Sequence, residues 1–371
     1  MLIAHIGPCQ TSITHPAGGA IQRRIRELSA IQARLGDRVI VCSAEDSDAV
    51  QVYERVEVQG IPCRTTGRLR PFEFLTRALH TLAHRNPDVL HFHNISEGAA
   101  ASHLLRLGIK TVLSYDHYFF RRGKATPLFF PIKKALQAFD YLLPVSQYCL
   151  KQSVDYWGIT SPVQVLYNGV NVDQFRPSDD LSNVMRARLG LGTAPVLLYV
   201  GRVCEQKGTD TLLEAYSQLR RRHALLRLVI AGPAERFGNS GETTLTRRIR
   251  ESGGLYLGPV SELDLPAIYN MCNVFVMPTR SLEMFGMAAL EAQACGKPVV
   301  CTLHGGLPEV ISKDSGLFFA PGDADALTEQ IDLLLSDATM REQMCVSARE
   351  NSKRFEWKHL VRQLAEVYAA G

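Results

Sequence analysis
Short apolar runs recur along the chain, most of them ending in a polar or glycine-bearing loop and then a stretch of helical periodicity. Leu2 to Ile6 is the first run. After a loop with Gly7, Pro8 and Gly18-Gly19, the residues Ile21, Ile25, Leu28, Ile31 and Leu35 repeat at helical spacing, and Gly36 closes that helix. Strands are predicted next at Val39 to Ser43, Val89 to His93, Thr111 to Tyr115, Tyr141 to Ser146 and Val163 to Tyr167, with helices near Phe72 to His84 and up to Trp157. Such alternation implies an α/β fold with parallel strands, because each return to a parallel neighbour needs a crossover. It also puts ligand loops at the carboxyl ends of the strands.

The Asn168-Gly169 turn and the polar run to Asp180 interrupt the series, and a second series begins at Pro195 to Val200. It continues with strands at Leu228 to Ala231, Leu255 to Leu257, Val274 to Met277 and Pro298 to Thr302, and helices at Asp210 to Arg220, Phe285 to Cys295 and Ala326 to Ser336. With 371 residues the chain exceeds one ordinary core. The expected domains are 1–170 and 171–355, followed by a closing helical segment, 356–371.

An apolar share of 46% and a charged share of 21% are those of a soluble globular protein, and a net charge of +4 neither demands nor excludes anionic partners. Nine cysteines, scattered singly with no C-x-x-C pair, argue against a disulfide framework or a structural zinc site and for a reducing cytoplasm. Met1 to Ile6 lacks a basic flank and reads as a strand, not a signal peptide, and no run is long enough to span a membrane.

The richest chemistry lies between Pro278 and Pro298, in a strand, loop and helix. Glu283 precedes the helix and Glu291 lies inside it, so two carboxylates can accept hydrogen bonds from hydroxyls along one ligand. Gly286 leaves the helix start without a side chain, so backbone N–H groups can approach an anion. A phosphate linked to a sugar fits this arrangement. Arg202 and Lys207, at the turn after the strand Pro195 to Val200, suit a diphosphate: the first as a planar fork, the second as a point charge. Asp323-Ala324-Asp325, a superficial D-x-D metal signature, reads instead as a helix start.

Glu283 and Glu291, with Met284-Phe285-Gly286, Gly296-Lys297-Pro298 and Gly305-Gly306-Leu307-Pro308-Glu309, resemble the Glu-x7-Glu signature of retaining glycosyltransferases of family 4. Met284 stands where that family usually has Gly. The resemblance implies a GT-B fold: two Rossmann-like parallel-sheet domains facing a cleft, with a C-terminal helix crossing back to the first. It implies a metal-independent, retaining hexosyltransferase with no cofactor, whose partners are a nucleotide-sugar donor, a UDP-sugar ahead of a GDP-sugar, and an acceptor hydroxyl. Glu283, Arg202 and Lys207 become catalytic candidates. Gly18, Gly19, Val260, Met284, Phe285, Gly286 and Glu291 join them around the donor, with Glu291 on the ribose.

At the strand ends of the first half, His91 and His93 point to one face, and Asp116-His117 closes the next strand. The resemblance places a His-Asp pair beside the reacting sugar; here the order is reversed, and His117 is preferred for the sugar pocket with Asp116 as its rival. The three histidines also admit a metal-dependent hydrolase, and the fold admits a sugar-nucleotide hydrolase or epimerase, or a non-catalytic binder. Between 119 and 134, arginines and lysines interleave with phenylalanines, as a peripheral membrane contact or an acceptor loop would require. No nucleic-acid-binding pattern accompanies this charge.

Overall fold
The computed structural model describes residues 1–9, 12–13, 19–95, 108–116, 129–234 and 243–370. The chain divides into two compact units, Met1–Gly169 with Trp357–Gly371, and Val170–Glu356. Among the described residues, no helix is long and apolar enough to cross a membrane.

In the first unit the strands are β1 (Leu2–Ile6), β2 (Arg38–Ser43), β3 (Val50–Tyr53), β4 (Val56–Gly60), β5 (Val89–His93), β6 (Lys110–Tyr115) and β7 (Tyr141–Pro144). They form one sheet in the order β3-β4-β2-β1-β5-β6-β7, in which only β3 is antiparallel to its neighbour. From β1 the chain winds first towards β2 and β4 and then back to β5, so β1 and β5 flank the point where strand order reverses. Helix Trp357–Ala369 buries Trp357, Leu360, Val361, Leu364, Val367 and Tyr368, a stripe at helical spacing, against Ile3, Leu28, Val89, Val112 and Leu143.

Two features of this first unit differ from expectation. The β3–β4 hairpin was not predicted, because its turn, Glu54-Arg55, takes positive φ without the usual Asn or Gly, and β3 has no buried face to impose alternation. The expected strand Val163 to Tyr167 is a single bridge beside β7, at Leu142 and Val163. Gln164 N and Leu166 N do donate to Leu142 O and Pro144 O. Pro144, lacking an N–H, cannot return a bond to Gln164, so the ladder stops.

The second unit holds β8 (Val196–Val200), β9 (Arg227–Ala231), β10 (Leu255–Gly258), β11 (Val274–Met277), β12 (Val299–Thr302) and β13 (Gly316–Phe319). All run parallel, in the order β10-β9-β8-β11-β12-β13. The chain goes outward from β8 to β10 and returns to β11 on the other side of β8. The β8/β11 boundary is therefore the switch point, where two successive loops diverge and leave a crevice. Both sheets are mostly parallel and wrapped by helices, as the alternation predicted.

Candidate active site
The loops at that switch point are laced together. After β8 the chain passes Gly201-Arg202 and a short turn of helix, Glu205–Lys207, to Gly208, which caps helix Thr209–Arg222 in the left-handed region at φ +71°. A Cβ on Gly208 would lie 1.8 Å from the Pro278 carbonyl oxygen, so only glycine lets the β8 loop meet the loop after β11 this closely. Gln206 O accepts from Arg280 N and Ser281 N at 3.0 and 2.9 Å. Arg280 pairs with Asp210 at 2.7 Å and donates to Thr211, which ties the β11 loop to helix Thr209–Arg222. Sequence reasoning missed Arg280, because an arginine in a polar loop carries no signal of its partner.

Within this frame Lys207 Nζ donates to Glu283 Oε2 at 2.7 Å, each side chain one-fifth exposed, at 20%. The two were expected to serve different parts of a ligand; the folded chain pairs them. Glu283 is held through its backbone as well: Gly306 N donates to Glu283 O at 2.8 Å. Gly305, at φ +64°, would put a Cβ 2.1 Å from that same oxygen. The Gly305-Gly306 turn is thus a buttress for Glu283.

Helix Met287–Ala294 begins after Gly286, two residues later than the sequence suggested, and no side chain caps its first turn. Met284 and Phe285 are 5% and 2% exposed, and the Phe285 ring lies edge-on to Phe355. Their side chains are core, leaving only backbone for a ligand. Glu291 is buried, and its Oε2 accepts from Tyr269 Oη at 2.8 Å. Arg202 is exposed, with Tyr199 Oη donating to its carbonyl at 2.6 Å. Val260, half-buried, follows β10, whose end is joined to β9 through Gly232 N to Gly258 O and Tyr256 Oη to Gly232 O. Asp323 Oδ1 accepts from Ala326 N at 2.9 Å, the helix cap expected of it.

Two family models match the chain: "Glycosyltransferase Family 4" over residues 17–174 and "Glycosyl transferases group 1" over residues 183–351. The chain belongs to glycosyltransferase family 4. Among its relatives is a D-inositol 3-phosphate glycosyltransferase of Xylanimonas cellulosilytica, 29% identical over all of this chain and 95% of that protein. Another is a GDP-mannose-dependent alpha-(1-6)-phosphatidylinositol monomannoside mannosyltransferase of Mycolicibacterium smegmatis, 32% identical over 62% of each protein. A sucrose-phosphate synthase from Thermosynechococcus elongatus superposes with a TM-score of 0.80 at 23% identity, over 99% of this chain and 98% of that one. Anabaena HepE in complex with UDP-glucose superposes with 0.81 at 19%, over 100% of both. The fold is GT-B, and the family makes the chain a hexosyltransferase that uses a nucleotide sugar.

In the first unit of this glycosyltransferase, the sheet's switch point holds a polar cluster. Asp116, half-buried after β6, exchanges two bonds with Asn94: Asn94 Nδ2 donates to Asp116 Oδ1 and Asp116 N to Asn94 Oδ1. Gly19 caps helix Ala20–Arg34, its N–H donating to Gln22 Oε1. Gly18, His117 and residues 119–128 lie outside the described residues; of 119–134, helix Phe129–Gln137 is described in its backbone, and Lys133 and Lys134 in their side chains as well.

Of the histidines expected as metal ligands, His91 and His93 meet His5 among the described residues, and His117 lies outside them. His5, His91 and His93 are the buried trio, with ring nitrogens within 4.8 Å of one another and no carboxylate in the group. Each is already engaged. His5 Nδ1 meets His93 Nε2 at 3.0 Å and His5 Nε2 meets Gln32 Oε1 at 2.7 Å, while His91 bridges Tyr368 Oη and Ser114 Oγ. Burial lowers all three pKa values, that of His5 to about 4. They are neutral, hydrogen-bonded core imidazoles.

Proposed function
We propose that this glycosyltransferase moves a hexosyl group from a nucleoside diphosphate to an acceptor hydroxyl with retention and without a metal. The observation that carries the reading is the Lys207–Glu283 pair at the β8/β11 switch point, beside the uncapped start of helix Met287–Ala294. When the sugar–phosphate bond breaks, negative charge grows on the departing diphosphate. Preorganised positive groups stabilise such charge most when they need not move to meet it. Lys207, Arg202 and the N–H groups after Gly286 supply it, in the role a divalent cation plays elsewhere. Glu283 exchanges part of its contact with Lys207 for the donor's hydroxyls and stabilises positive charge at the anomeric carbon. Glu291 turns its second oxygen to the ribose while Tyr269 fixes the first. The acceptor attacks the face the diphosphate leaves, and a diphosphate oxygen takes its proton.

Support for a nucleotide donor comes from a relative that is a GDP-mannose-dependent mannosyltransferase and from a structural neighbour that holds UDP-glucose. A uridine donor is the first expectation. Calorimetry with UDP, GDP, UDP-glucose and GDP-mannose in EDTA tests both donor and metal, with Arg202→Ala as the control. One diphosphate binds in EDTA and weakens at least tenfold in the variant. Binding that requires a divalent cation would overturn metal independence, and a glycosylated enzyme side chain trapped during turnover would overturn direct same-face attack.

A further inference from the structure
Tyr199, next to last in β8, is 2% exposed and belongs to the core of the second unit with Leu197, Leu212 and Leu228. In the sequence it is one more apolar position of a buried strand. A phenol differs from the leucines around it by one polar atom, which must find a partner when buried. Its partners lie at opposite ends of one loop. Tyr199 Oη donates to Arg202 O at 2.6 Å, and Thr209, the first residue of helix Thr209–Arg222, is hydrogen-bonded to the same hydroxyl. Arg202 and Lys207, the cations assigned to the donor's diphosphate, both lie on this stretch of chain.

The backbone is shaped to close over this hydroxyl. A Cβ on Gly201 would lie 2.8 Å from Tyr199 Oη, so the missing side chain lets the loop leave β8 directly across the phenol. From the β9 side, a Cβ on Gly232 would lie 2.0 Å from Gly201 O, and Pro233 O accepts from Val203 N at 2.8 Å. Further on, Lys207 N and Gly208 N donate to Cys204 O and Glu205 O, inside the same loop. Burial, then the nearby Cys204 and Glu283, push the Tyr199 phenol above its ordinary range, so it keeps its proton and remains a donor.

We propose that Tyr199 is a positioning residue for the transfer reaction: a buried post whose one hydroxyl joins both ends of the loop from Arg202 to Thr209 and thereby sets Arg202 and Lys207 for the donor's diphosphate. The ligand in this proposal rests on the transferase reading; the post rests on the hydrogen bonds of the loop. Arg202 carries an exposed side chain with many rotamers, so its backbone is the part that can be fixed before a ligand arrives. Cations already held where the diphosphate departs stabilise it without reorganisation, and a loop tied at both ends meets that condition.

Tyr199→Phe keeps the ring and removes the hydroxyl. Amide hydrogen exchange on the ligand-free full chain reads the post: the amides of Val203, Lys207 and Gly208 are expected to exchange about fivefold faster in the variant, with β8 and β9 unchanged. Unchanged exchange in the loop would overturn the proposal, and so would faster exchange spread evenly over β8 and β9, the mark of a merely structural loss. Calorimetry with UDP and GDP in EDTA reads the function. Tyr199→Phe is expected to weaken the diphosphate that binds by about fivefold in the wild-type background, and by roughly twofold at most beside Arg202→Ala, because the hydroxyl acts through Arg202. Wild-type affinity in Tyr199→Phe, or an equal loss in both backgrounds, would overturn the positioning role. If the wild type binds neither diphosphate, the transferase reading fails instead, and the exchange result still decides whether the post exists.

Discussion
Lys207 and Glu283 make a part-buried pair at 2.7 Å, and each loses a charge partner if the other is removed. Glu283→Gln keeps the shape and drops the charge. Its kcat is expected to fall by roughly 10²–10³ with little change in melting temperature, as for other groups that act on transition-state charge. A loss seen only in KM would assign Glu283 to ground-state binding instead. The buried imidazoles give a second prediction. The folded pKa values of His5, His91 and His93 lie below the ordinary 6.5, so under that pH the unfolded chain binds protons that the folded chain does not. Stability is full above 6.5 and falls as the pH drops to about 4, by on the order of 3 kcal/mol at His5 alone. Urea unfolding at a series of pH values reads this, and His5→Gln should flatten the slope. At this scale the sequence showed which residues carry charge, but not that Lys207 and Glu283 meet or that His5 joins His91 and His93. Those partners are 76 and 88 positions apart.

Among the elements, the loops after β8 and β11 hold their shape because backbone comes closer than any side chain permits. Gly208→Ala and Gly305→Ala each force a Cβ against a carbonyl oxygen, at 1.8 Å from Pro278 and 2.1 Å from Glu283. Each also places a side chain in the left-handed region. Both variants are expected to lose about 1–3 kcal/mol of stability and most of their activity, Gly305→Ala through displacement of Glu283. Thermal denaturation beside a turnover assay checks this; full activity in Gly305→Ala would remove the buttress from the mechanism. Strand and helix identity was legible here from alternation alone. The β3–β4 hairpin and β13 were not, since β3 has no buried face and β13 buries its two end residues rather than alternate ones.

At the scale of the molecule, helix Trp357–Ala369 covers one face of the first sheet from the far end of the sequence. Leu364 is fully buried there. Leu364→Ala should cost roughly 2–5 kcal/mol through lost burial and the cavity left behind. Both tryptophans, Trp157 and Trp357, belong to this unit, so intrinsic fluorescence reports its unfolding selectively. The expected result is an earlier fluorescence transition in denaturant. An unchanged midpoint would show that the helix adds nothing to the first unit.

What the sequence determined by itself was periodic or local: parallel α/β architecture, two strand series, an amphipathic closing helix, and the residue types of a phosphate and sugar site. These follow from side-chain spacing along one stretch of backbone. Tertiary structure decided which strand ends became neighbours, and through that which charges paired. Switch points arise from strand order, and strand order is a matter of which distant runs bury against each other. Lys207 therefore reached Glu283, Met284 and Phe285 turned inward, and three histidines became a hydrogen-bonded core.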